Sequence, residues 1–178
     1  MKKDFKYILN LSIRYIVSVI LAFPSFAVFY FIFTPATVYS LFYAINSFFD
    51  ATMIFNTITI DGRFTISIID ACVAGPAYYL LFALNLSTPN IKIKKRIKML
   101  VFSFGLLFAF NFLRIFLLSL MFINRSSFLD VSHKLFWYLG STVFVVGIWF
   151  IEAKVFKIKE IPFYSDIKYL YKKTNFSK

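Results

Sequence analysis

One cysteine, Cys72, one histidine, His133, and an arginine set inside an apolar run, Arg114, are the residues whose types could combine into covalent chemistry. A thiol nucleophile needs a base or a positive field to reach its thiolate, and acyl transfer needs a charge that stabilises the oxyanion. Each residue also has a plain structural explanation. A lone cysteine is commonly a packed hydrophobe, a histidine at a membrane boundary is commonly an ordinary boundary residue, and an arginine can snorkel to headgroups. Arg114 makes the strongest demand, because an intramembrane arginine costs ~2.5–3.5 kcal/mol on insertion scales and normally faces a partner or a wet cavity. Asn111 lies one turn before Arg114 on the same helical face. Asp70 is placed to cap a helix whose first turn, at its positive end, would hold Cys72. Pro76 offers no amide hydrogen to the Cys72 carbonyl, so that helix either starts late, near Gly75, or is kinked. A single cysteine allows no intramolecular disulfide and no multi-cysteine metal site.

The elements that must position these groups follow from composition. The chain has 178 residues, 60% of them hydrophobic and 16% charged, with 26 phenylalanines. Soluble domains are roughly 45–50% apolar and ~25% charged, and the uncharged runs here are too long for ordinary core helices. The expected fold is an all-α integral membrane protein, one polytopic domain over residues 1–178 with about four transmembrane helices near 15–33, 71–86, 99–123 and 135–151. Tyr15 to Phe33 covers about 30 Å of hydrocarbon. Ser25-Phe26-Ala27 resembles a signal-peptide cleavage site, but the apolar run continues to Phe33, so a retained helix is expected. The second run gives only ~24 Å of helix and must borrow flanking residues or sit partly in the interface. Between these two, Val38, Leu41, Phe42, Ile45 and Phe49 keep helical spacing after Thr34-Pro35, predicting an amphipathic helix in the outer interface. Ile58-Thr59-Ile60 and Arg63 to Ile68 alternate about Asp61-Gly62, predicting a β-hairpin with a two-residue type I′ turn that leads to Cys72.

The net charge of +12 is a topology signal, with no nucleic-acid partner expected. Of the 20 Lys and Arg residues, sixteen lie in the N-terminus through Arg14, the Lys92 to Lys98 loop and the tail after Glu152. Those segments are therefore expected to be cytoplasmic, leaving Arg63, Arg125 and Lys134 outside. The basic tail, 152–178, reads as solvated charge in preference to a segment held near anionic lipid. In this topology Cys72 opens the second span and His133 precedes the fourth, both at the outer face. Arg114 lies ~23 Å along the third span, so all three share one extracytoplasmic depth.

At these residues the sequence resembles the exosortase/archaeosortase family of polytopic membrane enzymes, over roughly Gly62 to Ile151. The resemblance lies in a hairpin-like approach into Ile69-Asp70-Ala71-Cys72-Val73-Ala74-Gly75, Asn111-Phe112-Leu113-Arg114 in the next span, and His133 before the last. Many bacterial members have Ser-Gly directly after the cysteine and about eight spans, so this chain is similar to a compact archaeal-type member. The resemblance implies a cell-membrane cysteine transpeptidase or protease. It would cleave C-terminal sorting signals (a motif, a transmembrane helix and a basic tail) of secreted surface proteins through a thioester, then transfer them to a lipid or cell-surface acceptor. It further implies Cys72 as nucleophile, Arg114 as electrostatic partner, His133 as acid/base and Asn111 in support, with no metal or organic cofactor. Release to water instead of an acceptor would use the same acyl-enzyme. The competing expectation is a small non-enzymatic transport or assembly subunit, with Arg114 on a lipid headgroup or anion and Cys72 as packing.

Overall fold

The computed structural model describes residues 2–22, 26–136 and 141–175. Runs rich in apolar residues and poor in glycine form helices, which satisfy their own backbone hydrogen bonds. In chain order these elements are α1 (Lys2–Ala22), α2 (Ala27–Asn46), β1 (Ala51–Ile54), β2 (Thr57–Ile60), β3 (Phe64–Ser67) and α3 (Asp70–Val73). They continue with α4 (Gly75–Ser87), α5 (Ile93–Ile123), α6 (Leu129–Leu135), α7 (Ser141–Val155) and α8 (Tyr164–Asn175). Among the described residues, two helices, α2 and α5, are long and apolar enough to cross a membrane.

The expected first span, 15–33, is not one helix. The first helix ends at Ala22 and the next begins at Ala27, because Phe26 takes a left-handed φ of 62° that no α-helix can continue through. Residues 23–25, including Ser25 of the cleavage-like triplet, lie outside the described residues. The separate interfacial helix after Thr34-Pro35 is also corrected. Pro35 lies inside α2, and the Val38, Leu41, Ile45 stripe is simply the far half of that helix. A proline removes one helical hydrogen bond, and here burial of Phe29, Val38, Leu41 and Ile45 along one side holds the helix together regardless.

These two helices run one after the other, antiparallel to α4. Arg14 sits at the Ser87 end of α4, Phe26 packs on Tyr79 and Phe33 stacks on Tyr78 with centroids 3.6 Å apart. Farther along, Leu41 and Ile45 join Val73 and Ile115 in a core that also takes in Ile58 and Ile60 of the sheet. A second core gathers Phe29, Tyr78, Leu81, Leu107, Val145 and Ile148. Helix α5 serves both through a stripe of Met99, Ser103, Leu107, Asn111, Ile115 and Ser119, buried at every fourth residue. Its serines bring no unsatisfied group, since the Ser103 and Ser119 hydroxyls donate to the Met99 and Ile115 carbonyls at 3.0 and 2.8 Å. The outward faces are apolar too, with Ile20, Phe31, Val101 and Phe150 all exposed.

The sheet has three strands in the order β1-β2-β3, both pairs antiparallel. Its second connection is longer than a two-residue turn. Pairing closes at Ile60 opposite Phe64, leaving Asp61, Gly62 and Arg63 in the loop, with Asp61 and Gly62 at φ 51° and 62°. Strand β1 was not expected from sequence, because its turn to β2, Phe55-Asn56, places at φ 52° a phenylalanine where glycine or asparagine usually marks that conformation.

At the Ser87 end of α4 the structure is held by polar groups. Arg96 caps that helix, donating to the carbonyls of Asn85, Leu86 and Thr88, the last at 2.9 Å. Asn85 donates to Glu152 at 2.9 Å, joining α4 to α7 through two fully buried side chains. The tail is not merely solvated. Asp166 of α8 is buried and accepts from Arg14 at 2.8 Å through both carboxylate oxygens, from Tyr7 at 2.7 Å and from Tyr15 at 3.2 Å.

Candidate active site

Backbone chemistry at one proline shapes the cysteine's surroundings. In an unbroken helix the Cys72 carbonyl would accept from the amide of residue 76, but Pro76 has none. Helix α3 therefore stops after one turn, Ala74 turns left-handed at φ 62°, and α4 starts at Gly75 with Pro76 in its first turn. The Ala77 amide bonds to the Ala74 carbonyl at 2.9 Å, which leaves the Cys72 and Val73 carbonyls without helical donors.

Helix α5 supplies the missing donors. Asn111 Nδ2 donates to the Cys72 carbonyl at 2.8 Å and to the Val73 carbonyl at 3.4 Å, and Arg114 Nη2 donates to the Cys72 carbonyl at 3.2 Å. The Asn111 and Arg114 pair, one turn apart, thus clamps the break from one helical face. Arg114 Nε is buried and makes no hydrogen bond. Gly75 belongs to the same construction, because a Cβ there would lie 2.6 Å from the Tyr30 ring. Only glycine lets α2 approach α4 this closely.

Asp70 does not cap the second helix. The cap position is Ile69, no side chain bonds there, and Asp70 is an exposed first residue of α3. The dipole argument for Cys72 fails with it, since one turn aligns too few peptide units to build a macrodipole. His133 lies on α6, a short exposed helix, and residues 137–140 between it and α7 lie outside the described residues.

Cys72, Arg114 and His133 nevertheless border common space. A cavity of about 320 Å³ is lined by all three, with Ser119, Asp130 and the β3 segment from Thr65. A smaller one of about 150 Å³ is lined by the same three with Leu118 and Phe136. A third cavity, of about 350 Å³, is bounded by Tyr30, Asp70, Pro76 and again Arg114. The two larger volumes fall in the range of small-ligand sites. The half-buried thiol, the exposed imidazole and the half-buried guanidinium thus border the same space. Asp130 was not foreseen, although its spacing three residues before His133 puts both on one face of α6, where a carboxylate can orient an imidazole. Among the described residues, no three His, Cys, Asp or Glu side chains gather as metal ligands.

Replacing Asn111 by leucine is expected to leave the Val73 carbonyl with no donor and the Cys72 carbonyl with Arg114 alone. An unsatisfied buried carbonyl costs about 1–3 kcal/mol, and thermal unfolding of the purified protein in detergent measures the loss. An unchanged melting temperature would mean that water or relaxed backbone replaces the amide.

No family model, curated protein or solved structure matches this chain.

Proposed function

We propose that the chain is a membrane-embedded cysteine transpeptidase acting on C-terminal sorting signals of secreted proteins. The observation that carries this is that Cys72, Arg114 and His133, from three different elements, line the same two cavities. The resemblance to exosortases and archaeosortases, in residue types and order, supports the substrate class. In this reading the protein crosses the membrane about four times, with α1 and α2 sharing the first crossing. Both termini are cytoplasmic and the cavities open to the outside.

The Cys72 thiol gives its proton to His133, and the sulfur attacks a backbone carbonyl beside the substrate's membrane anchor. The tetrahedral oxyanion is stabilised by the positive charge of the Arg114 guanidinium, which lines the same cavities as the thiol. Collapse breaks the C–N bond, His133 returns its proton to the leaving amine, and a thioester to Cys72 remains. An acceptor amine then attacks the thioester, loses a proton to His133 and expels the thiolate. Water in place of the amine gives hydrolysis.

Labelling of sealed right-side-out vesicles with a membrane-impermeant thiol reagent tests the reading, because Cys72 is the sole thiol. The wild type is expected to label fast, and both His133→Ala and Arg114→Gln to label about tenfold or more slowly. Absent labelling, or rates indifferent to both substitutions, would favour a second reading. That reading is a non-enzymatic transport or assembly subunit, favoured by Arg114 already being engaged in holding the Cys72 carbonyl.

A further inference from the structure

Strand β3 lies at the edge of the sheet, since its one neighbour in the order is β2. Four consecutive residues, Thr65, Ile66, Ser67 and Ile68, line the cavity that holds Cys72. Successive side chains on a strand point to opposite faces, so a space bordered by both kinds lies along the strand's edge. Backbone groups alternate as well. The Ile68 amide bonds to the Asn56 carbonyl at 2.8 Å, and Ile66 and Phe64 stand opposite Ile58 and Ile60. The amides and carbonyls of Thr65 and Ser67 therefore point away from β2, toward the cavity.

From this geometry we infer that the substrate binds by adding an extended strand to the free edge of β3, which delivers its scissile carbonyl to Cys72. The inference rests on the transpeptidase reading and deepens it. The occupant is a polypeptide segment of about four residues on the N-terminal side of the cleaved bond. Main-chain bonds to an edge strand supply affinity without demanding a particular sequence, while alternate side chains supply selectivity. Its direction is parallel to β3. That strand runs from the Gly62 turn toward Cys72, and a substrate anchored beyond the cleaved bond by its own membrane helix enters in the same sense.

Charge points to the occupant's composition. The Arg125 guanidinium lies over the Phe64 ring, 5.8 Å from its centroid, at the start of the strand, and Arg63 is exposed in the adjoining turn. The first residue of the bound segment, next to these cations, is therefore acidic. Asp130, the acidic lining residue of the cavity, shares its face of α6 with His133 and disfavours a second acid beside the scissile bond.

The probe is an acetylated tetrapeptide beginning with glutamate and ending in a vinyl sulfone, applied to the full-length protein in right-side-out vesicles. Cys72 Sγ adds to the vinyl carbon and a proton goes to the neighbouring carbon, with no leaving group. Further probes carry one N-methyl group at each amide in turn, and one begins with lysine. N-methylation at alternate amides is expected to slow labelling about tenfold each, and at the intervening amides by less than about twofold. The lysine probe is expected to be slower than the glutamate probe. A small impermeant thiol reagent serves as the reference. Peptide probes that label slowly, or equally at every methylation site, on a Cys72 that reacts fast with the small reagent would overturn strand addition and leave the cysteine enzyme standing. A Cys72 inert to the small reagent overturns both.

Discussion

Cys72→Ala is expected to abolish the acyl-enzyme that the proposed mechanism forms, while the folded protein persists at wild-type levels. The two α5 side chains that hold the helix break bond to the backbone carbonyl of residue 72, which alanine retains. The thiol itself is only half-buried at the edge of one core, so removing its sulfur takes little packing away. Loss of product would then be a chemical effect and not a folding one. Removing the nucleophile of a covalent mechanism lowers turnover by about 10³-fold or more. Intact-mass analysis of the protein isolated from its own membranes, before and after hydroxylamine, measures it: the wild type carries a hydroxylamine-labile adduct and the variant carries none. An equal adduct on the alanine variant would place the acyl group elsewhere and end the Cys72 mechanism.

The largest expected effect on stability lies at the opposite end of the molecule. Arg14 and Asp166 are 7% and 2% exposed at their side chains, and the carboxylate also accepts from Tyr7 and Tyr15. Asp166→Ala would leave Arg14 buried with the Ser87 carbonyl, at 3.4 Å, as the one remaining partner of its side chain among the described residues. Breaking a buried pair from one side costs about 3–5 kcal/mol, whereas replacing both partners by apolar groups is often neutral. The single variant is therefore expected to melt far lower in detergent, and Arg14→Met with Asp166→Leu to recover most of the loss. Lys168 is exposed already, so release and unfolding of α8 should show as faster trypsin cleavage after it in inside-out vesicles. A single variant as stable as wild type would mean that the pair is solvated and that the tail is not anchored by it.

Several features follow from local chemistry. Long uncharged runs make helices because a helix satisfies its own backbone hydrogen bonds within one segment, and α5 with Arg114 inside it was legible for that reason. The break after Cys72 was legible from Pro76, whose missing amide hydrogen is a covalent fact. Asn111 and Arg114 share a helical face by spacing alone. Periodicity could not tell whether the Val38, Leu41, Ile45 stripe begins a new helix or continues an old one, since both give the same pattern. Packing of that stripe against Val73, Ile115 and the sheet decided it.

Sequence by itself determined the helical apolar architecture, the interrupted backbone at Cys72 and the three residue types capable of acyl-transfer chemistry, because each is encoded within a few residues of itself. Tertiary structure alone decided where the orphaned Cys72 and Val73 carbonyls find donors and that the β3 segment lines one cavity with the thiol. It also decided that Asp166 returns to Arg14 across 152 residues of chain. Those are contacts between distant segments, fixed by the free energy of the whole packed molecule, and no local pattern carries them.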